Sequence, residues 1–313
     1  MSLSSFPANQ VNELIAIKLL NSYSKELLKE FKKHKKTRNP ESIHQIRVNL
    51  RRLKSVLYLF SYAFPSQKIR AWNKEVKYLL RRLNKPRDIH VMIEKLKKIA
   101  VTNRECLFIL NEINKYLQEL KNKQEKKLTD TLEKAHNKNM LSDILQFCKR
   151  YNKKANGHLT PSSLKILSFH CHRKLKPLLN EFSSYRSCLS DSEKVAEVHK
   201  SRLLIKKIRY ILEILKTYYP SLNKFLKINA DLQEILGKIH DRDVLLDFLD
   251  TFSTRISCGK IEYSEEDAIK LLGELKKLKA LLISERNEKH IQLVLFLEGT
   301  DNVNFEQQLM NSF

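Results

Sequence analysis

Glycine and proline are scarce in this chain, with five and seven residues among 313. Ordinary proteins contain roughly 12% of the two together, so a fold built on many tight turns or β-bulges is excluded. Alternation of apolar and polar residues, which marks half-buried strands, is nowhere sustained. Leucine, isoleucine, lysine and glutamate dominate instead. Because these residues favour helices, we predict an all-α protein.

Long apolar runs are also missing, since none approaches the roughly 18 residues of a membrane span. The first ten residues lack the basic region and apolar core of a signal peptide. The five cysteines form an odd set without a CxxC pair, which favours free thiols in a reducing compartment. We therefore expect a cytoplasmic protein without disulfide bonds or a membrane span.

Acidic residues are the minority charge, with 35 Asp and Glu against 59 Lys and Arg. The resulting formal net charge of +24 indicates a polyanionic partner, an acidic membrane surface or an acidic protein. The length of 313 residues suits two domains of ordinary size or one large one.

The positive charge is concentrated on a predicted helix from Glu41 to Phe60. At about 100° per residue, the apolar residues from Ile46 onward fall on one face of this helix. The opposite face carries a polar stripe made of His44, Arg47, Arg51, Lys54 and Tyr58. Like charges at i,i+4 repel one another, yet no carboxylate interrupts the stripe. We infer that the stripe serves an anionic ligand rather than stability.

A second copy of this helix occurs 155 residues later, from Glu197 to Leu215. In this copy the positions of His44, Arg47, Arg51 and Lys54 are held by His199, Arg202, Lys206 and Arg209. We therefore predict two similar helical halves, residues 1–155 and 156–313. A linker from Asn152 to Pro161 joins them, and the polar stretch from Glu298 to Phe313 is predicted to be loose.

A shorter motif also recurs, since Leu83–Leu96 aligns with Leu236–Leu249 at an offset of 153 residues. We expect a helix break at Asn84–Pro86, because proline lacks a backbone N–H and restricts the residue before it. Asp88 and Asp241 stand at matching positions after the expected breaks. A carboxylate there suits a helix start, or orients a neighbouring arginine, better than it suits catalysis.

Four motifs, taken in order along the chain, resemble the CHAD domain, the conserved histidine α-helical domain. They are HQIRVNLRRLK at His44–Lys54, RDIHV at Arg87–Val91, HKSRLLIKKIRY at His199–Tyr210 and LQEILGKIHD at Leu232–Asp241. The resemblance implies two four-helix bundles related by a pseudo-two-fold axis, with basic helices lining a central cavity or pore. It also implies binding of inorganic polyphosphate and, as for some members, association with polyphosphate granules. This chain departs from the family in having Asn84 where a glycine is usual.

The stripes and the resemblance together predict a polyphosphate site that needs no cofactor or metal. Its predicted residues are His44, Arg47, Arg51, Arg52, Lys54, Lys77, Arg81, Arg82, Arg87, His199, Arg202, Lys206, Lys207, Arg209 and Lys238. Arginine binds phosphate oxygens through its planar fork, and lysine acts as a mobile point charge. Bases at i, i+4 and i+7 stand about 5 Å apart along a helix, a spacing that can follow a linear polyanion.

Other ligands stay open from the sequence alone. His44 and His199 suggest a metal, but each stands among cations without a carboxylate on its face, which disfavours a divalent ion. Single-stranded RNA or DNA is the main alternative, because tyrosines near the basic helices would allow base stacking. These tyrosines are Tyr58, Tyr62, Tyr78, Tyr210, Tyr218 and Tyr219. A scaffold that docks on acidic proteins is a third possibility. We expect no catalysis, because no nucleophile–base pair or phosphate-binding loop is recognisable.

Overall fold

The computed structural model describes residues 8–137, 140–152, 160–259, 261, 263–301 and 305–313. It is 92% helical, and no strand occurs among the residues that it describes. The prediction of an all-α protein is confirmed. None of the helices in these ranges is long and apolar enough to cross a membrane.

Ten α-helices follow one another in the described ranges, and the second five repeat the order of the first five. The first five are α1 (Ala8–Thr37), α2 (Pro40–Leu59), α3 (Ser66–Thr102), α4 (Leu107–Asn137) and α5 (Met140–Asn152). The second five are α6 (Pro161–Arg186), α7 (Val195–Leu215), α8 (Asn223–Ser257), α9 (Glu265–Asp301) and α10 (Phe305–Met310). The two basic helices predicted from the sequence are α2 and α7. The predicted linker falls largely on residues 153–159, which lie outside the described residues.

Helix packing follows the same repeat. Within each half, consecutive helices pack on one another from α1 to α4 and from α6 to α9. The halves meet where α1 packs on α6, α2 on α7 and α4 on α9. In each of these three contacts a helix meets its own repeat, as an approximate two-fold relation between the halves requires.

The hydrophobic cores are shared between the halves. The larger cluster contains Ile46 and Leu50 of α2 together with Ile205 and Ile208 of α7, all nearly inaccessible to solvent. A second cluster joins the C-terminal parts of α3 and α8 to α4 and α9. Burial of these apolar side chains supplies the main stabilisation of the fold. It also fixes the direction of the polar faces of α2 and α7, which point away from this core.

The start of α2 agrees with its sequence signals. The side-chain Oδ1 of Asn39 accepts a hydrogen bond from the backbone N–H of Glu41 at 2.8 Å, and Pro40 is the first helical residue. The cap satisfies one of the backbone donors that a helix start leaves free. The first basic helix therefore begins where its capping residues predict.

The predicted break at Asn84–Pro86 is wrong, because α3 runs without interruption from Ser66 to Thr102 with Pro86 buried inside it. Proline removes one intrahelical donor. One turn before the proline, Arg47 Nη1 donates to the carbonyl oxygen of Leu83 at 2.8 Å and to Asn84 Oδ1 at 2.7 Å. A side chain from α2 thus bonds the carbonyl next to that of Arg82, which is the carbonyl that loses its intrahelical donor at Pro86. The matching stretch of α8 is also continuous helix.

The prediction of a loose C-terminal stretch is wrong as well. Of its described residues, 298–301 end α9 and Phe305–Met310 form α10, in which Leu309 is fully buried. The Phe313 ring lies 5.3 Å from the Tyr219 ring and 5.6 Å from the His172 ring, measured between centroids. The composition of this stretch is polar, but a few apolar side chains anchor it on α6 and the segment after α7.

Candidate functional site

A basic cleft of about 1010 Å³ lies among α2, α3, α6 and α7. Nine basic side chains line it, namely Arg51, Lys54, Arg70, Lys74, Lys77, Lys174, Lys200, Lys206 and Lys207. Glu181 of α6 is the single acidic residue in its lining. A concave surface with this excess of one charge focuses the electric field and attracts anions. We call this site the basic cleft.

Both basic helices contribute to the basic cleft. Arg51 and Lys54 come from α2, and Lys206 and Lys207 come from α7. Arg51 and Lys206 hold equivalent positions in the repeat, so the contact of α2 with α7 brings two copies of one position to the same site. The enclosed central cavity or pore that the family resemblance implies stays a prediction.

Tyr58 holds two of the cleft lysines in place. The Lys207 Nζ lies 3.8 Å from the centroid of the Tyr58 ring, and the Lys174 Nζ lies 5.0 Å from it. The Tyr58 hydroxyl donates to the backbone carbonyl of Lys174 at 3.1 Å. An aromatic face attracts a cation without neutralising its charge. Tyr58 therefore orders positive charge that an anion can still use.

Lys206 is the most strongly perturbed base of the cleft. Burial, followed by the charges of Arg202, Arg51 and Arg47, lowers its pKa to about 7. Burial and the charge of Lys77 likewise lower the pKa of Lys54. Desolvation and like charges both disfavour a protonated amine. A bound anion would reverse both effects, so the cleft favours a ligand of high negative charge density.

Asp88 and Asp241 lie inside α3 and α8, which are continuous around them, and not at helix starts. Between them, the two carboxylates act on Arg47 and Arg202. Asp88 acts electrostatically on Arg47 and Arg202. Asp241 acts on Arg202 and forms an ion pair with Lys95 at 2.7 Å. Both carboxylates therefore partly compensate the buried arginines. Of the two predicted roles, the helix start is wrong, whereas the position beside an arginine agrees with the structure.

The structure places five of the predicted site residues in the lining of the basic cleft, namely Arg51, Lys54, Lys77, Lys206 and Lys207. Ten lie elsewhere, namely His44, Arg47, Arg52, Arg81, Arg82, Arg87, His199, Arg202, Arg209 and Lys238. Several of these have protein partners. Arg52 and Arg209 approach Glu213, and Lys238 forms an ion pair with Glu234 at 2.6 Å. Contact of the predicted residues with a ligand stays a prediction.

Arg47 and Arg202 differ although they are repeats of each other. Arg47 is 9% exposed, and its guanidinium donates a hydrogen bond to the side-chain oxygen of Asn84. The matching residue in the second half is Gly237, which offers no side chain. Among the described residues, the buried Nε of Arg202 has no hydrogen-bond partner. Asn84, which stands where the family usually has glycine, thus gives Arg47 a hydrogen-bond partner that Arg202 lacks at the matching Gly237.

The two repeated histidines lie beside the cleft, outside its lining. The Nδ1 atoms of His199 and His240 are 3.2 Å apart, and burial together with Arg202 lowers the pKa of His240 to about 4. Burial and the charge of Arg87 lower the pKa of His44. Among the described residues, no group of three or more His, Cys, Asp or Glu side chains is placed to hold a metal.

Four cleft residues were missed from the sequence, namely Arg70, Lys74, Lys174 and Lys200. Arg70, Lys74 and Lys77 are spaced at i, i+4 and i+7, the same signal that marks the stripe on α2. That spacing was available, although only Lys77 was predicted. Lys174 has no comparable pattern on α6, and only the packing of α6 against α2 and α7 brings it to the site.

Four of the six predicted tyrosines have a neighbour on the ring. Lys207 and Lys174 cover Tyr58, His170 stacks on Tyr62 at 3.6 Å between ring centroids, and Phe313 packs against Tyr219. The Arg82 guanidinium lies 5.3 Å from the centroid of the Tyr78 ring. Tyr210 lines the cleft. These contacts reduce the aromatic surface that is available to stacked bases at Tyr58, Tyr62, Tyr78 and Tyr219.

Comparison with known proteins points to one family. The family model of the CHAD domain matches residues 22–250. The fold is similar to the crystal structure of the CHAD domain from the plant Ricinus communis, with a TM-score of 0.64 and 20% sequence identity over 93% of this chain and 94% of that chain. It is also similar to PptA from Streptomyces chartreusis, with a TM-score of 0.58 and 13% identity over 92% of this chain and 99% of that chain. Comparison with curated protein sequences gives no match.

Proposed function

The chain belongs to the CHAD domain family, and from this premise we propose that it binds inorganic polyphosphate in the basic cleft. The observation that carries the proposal is the convergence of α2 and α7. Arg51 and Lys54 of one repeat and Lys206 and Lys207 of the other line the same concave surface. The family resemblance supplies the ligand class, since its members bind polyphosphate.

The charge pattern supports a linear phosphate chain. Polyphosphate has about one negative charge per phosphorus and no base edges, so a protein must recognise it through charge and spacing. The cleft offers nine bases against one carboxylate. Lysine and arginine are the side chains that bind phosphate oxygens most strongly. A chain lying between α2 and α7 would also neutralise the repulsion between the two helices.

Single-stranded nucleic acid is the weaker candidate. Nucleic-acid binders of this kind combine a basic groove with aromatic rings on which successive bases stack. In this protein, lysine side chains already occupy the Tyr58 ring, and His170 occupies the Tyr62 ring. The neighbours on these two rings favour a ligand that presents only phosphate, and Tyr210 is the lining tyrosine on which base stacking is tested.

We propose binding without turnover. Hydrolysis of a phosphoanhydride needs a positioned water and a group that activates it. Nine of the 21 residues that line the cleft are lysine or arginine, which neutralise phosphate charge but are poor bases while protonated. A bound phosphate favours the protonated amine of Lys206 as well. Storage, targeting to polyphosphate granules in the cytoplasm or buffering of free polyphosphate would all follow from binding alone.

The first prediction compares the two ligand classes. At one salt concentration, polyphosphate should bind more tightly than single-stranded RNA of equal length, because its charge density is higher. Affinity should fall linearly with salt on logarithmic axes as counterions are released, and it should rise with chain length until the cleft is filled. Fluorescence anisotropy with labelled polyphosphate and RNA at several salt concentrations measures both trends.

The same titrations would also reveal a result that contradicts the preference for polyphosphate over RNA. If RNA binds as tightly as polyphosphate, and Tyr210→Leu weakens RNA binding more than Arg51→Gln does, base stacking dominates. Single-stranded nucleic acid would then be the better assignment for the basic cleft.

A further inference from the structure

A second, smaller pocket lies on another side of the contact between α2 and α7. Its volume is about 460 Å³, and its lining includes Tyr23, Arg52, Arg209, Glu213 and Lys216. Three of these residues are bases and one is a carboxylate. Arg52 and Arg209 belong to the two basic helices, yet they do not line the basic cleft.

The repeat relates this pocket to the basic cleft. At the offset of 155 residues, Arg52 matches Lys207 and Lys54 matches Arg209. Exchange of the two halves therefore converts the pair Lys54 and Lys207 of the basic cleft into Arg209 and Arg52 of the second pocket. The second pocket is the counterpart of the cleft under the approximate two-fold relation.

The two counterparts differ in size and in their number of bases, nine against three, and they also differ in a carboxylate that binds the bases of the second pocket. Glu213 of the second pocket matches Tyr58 of the basic cleft at the same offset. Glu213 Oε1 accepts a hydrogen bond from Arg209 Nε at 3.0 Å, and its Oε2 lies 3.8 Å from Arg52 Nε. The Glu213 side chain is only 21% exposed. One partly buried carboxylate thus binds both arginines of the pocket.

Tyr58, which holds the equivalent position in the basic cleft, contacts the neighbouring lysine with an aromatic ring in place of a carboxylate. Its ring lies 3.8 Å from the Lys207 Nζ, a contact that orients the amine and preserves its charge. A phosphate can pair with Lys207 directly. In the second pocket a phosphate would have to displace the Glu213 carboxylate, and it would meet the repulsion of that group.

We propose that Glu213 is an internal anion that closes the second pocket to phosphate and restricts polyphosphate to one of two related sites. The inference rests on the proposed function for the identity of the ligand. It assigns to Glu213 the role of a specificity-determining residue. Of the two related pockets, only the basic cleft then binds polyphosphate.

The test measures how many short phosphate chains bind each protein molecule. Isothermal titration calorimetry with tripolyphosphate at 150 mM salt should give one site for the wild type. Glu213→Gln frees Arg52 and Arg209 and should give a second site, so that the stoichiometry doubles. Glu213→Tyr installs the residue of the counterpart and should do the same, and it serves if the glutamine variant fails to fold.

Glu181→Gln is the matched control, because it removes the single carboxylate of the basic cleft with the same change in net charge. This variant should tighten the existing site and keep the stoichiometry at one. If net charge alone decided the outcome, the Glu181 and Glu213 variants would behave alike, and the proposal would be wrong.

Two further outcomes are decisive. Two sites in the wild type, or one unchanged site in both Glu213 variants, would overturn the role of Glu213. Absence of saturable binding by the wild type would contradict the proposed function of the basic cleft. In that case a new site in the Glu213 variants still supports the closure of the second pocket, and no new site refutes it.

Discussion

Reversal of a single charge in the basic cleft is expected to weaken polyphosphate binding severely. Arg51→Glu or Lys206→Glu removes one phosphate contact and places a carboxylate inside a focused positive field. Each variant should lose on the order of 2 kcal/mol of binding free energy or more, about 30-fold in Kd. Filter binding or anisotropy with polyphosphate of fixed length measures the effect.

The matched control reverses two exposed lysines of α1, Lys32 and Lys33. This double variant changes the net charge by twice as much as either single reversal. Because exposed charges act over distance only through screened interactions, it should cost only about a few tenths of a kcal/mol at physiological salt. Equal losses in the control and in the cleft variants would mean that binding follows net charge, without a defined site. Circular dichroism must first show that each variant is helical and unfolds cooperatively.

The second large effect is a dependence of affinity on pH that originates at Lys206. Its pKa is about 7 in the free protein, because burial and three arginines disfavour the charged amine. A bound phosphate favours the charged amine and raises this pKa. Below about pH 6 the amine is protonated in both states, so affinity should be nearly constant there. Above pH 7 binding must take up a proton, so affinity should fall by up to about tenfold per pH unit.

Lys206→Arg separates this effect from other titrations, since an arginine stays protonated throughout the range. The variant should lose the fall in affinity that begins near pH 7, and calorimetry in buffers of different ionisation enthalpy should show less proton uptake than for the wild type. Asp241 of α8 acts electrostatically on Lys206. Burial lowers the pKa of His199 and lowers that of His240 to about 4. Long polyphosphate minimises the contribution of its terminal groups. An equally steep profile for the arginine variant would exclude Lys206 as the source.

The helical class and the repeat could be predicted from the sequence because both depend on local patterns. Amphipathic periodicity defines α2 and α7, and the cap at Asn39 defines where α2 begins. The same periodicity places Arg51 and Lys206 on the solvent-facing side of helices whose other side is apolar. The family motifs lie on α2, α3, α7 and α8, and each is a contiguous stretch that can be recognised without tertiary structure.

The errors arose where tertiary contacts override local signals. Proline at position 86 is a strong local sign of a helix end, but Arg47 comes from another helix and supports the backbone at Leu83. The polar C-terminal stretch carries a weak hydrophobic pattern, and burial of Leu309 became evident only with the packed structure. Neither contact has a signature in the local sequence.

The division of the basic stripe also depends on packing. Arg51 and Arg52 are neighbours in sequence, yet the first lines the basic cleft and the second lines the pocket held by Glu213. A helical stripe predicts a face about a quarter of the circumference wide. It does not predict how a crossing helix divides that face, which is why Arg52 and Arg209 were grouped with the cleft residues.

The most direct test of the basic cleft as the polyphosphate site is lysine footprinting of the wild-type protein. The protein is acetylated briefly with and without polyphosphate, and mass spectrometry reports the rate at each lysine. At a ligand concentration ten times the Kd, Lys206 and Lys207 should react about tenfold more slowly, whereas Lys32 and Lys33 should change by less than about twofold. Uniform protection of all lysines, or protection of Lys32 and Lys33 with none at Lys206 and Lys207, would contradict a polyphosphate site between α2 and α7.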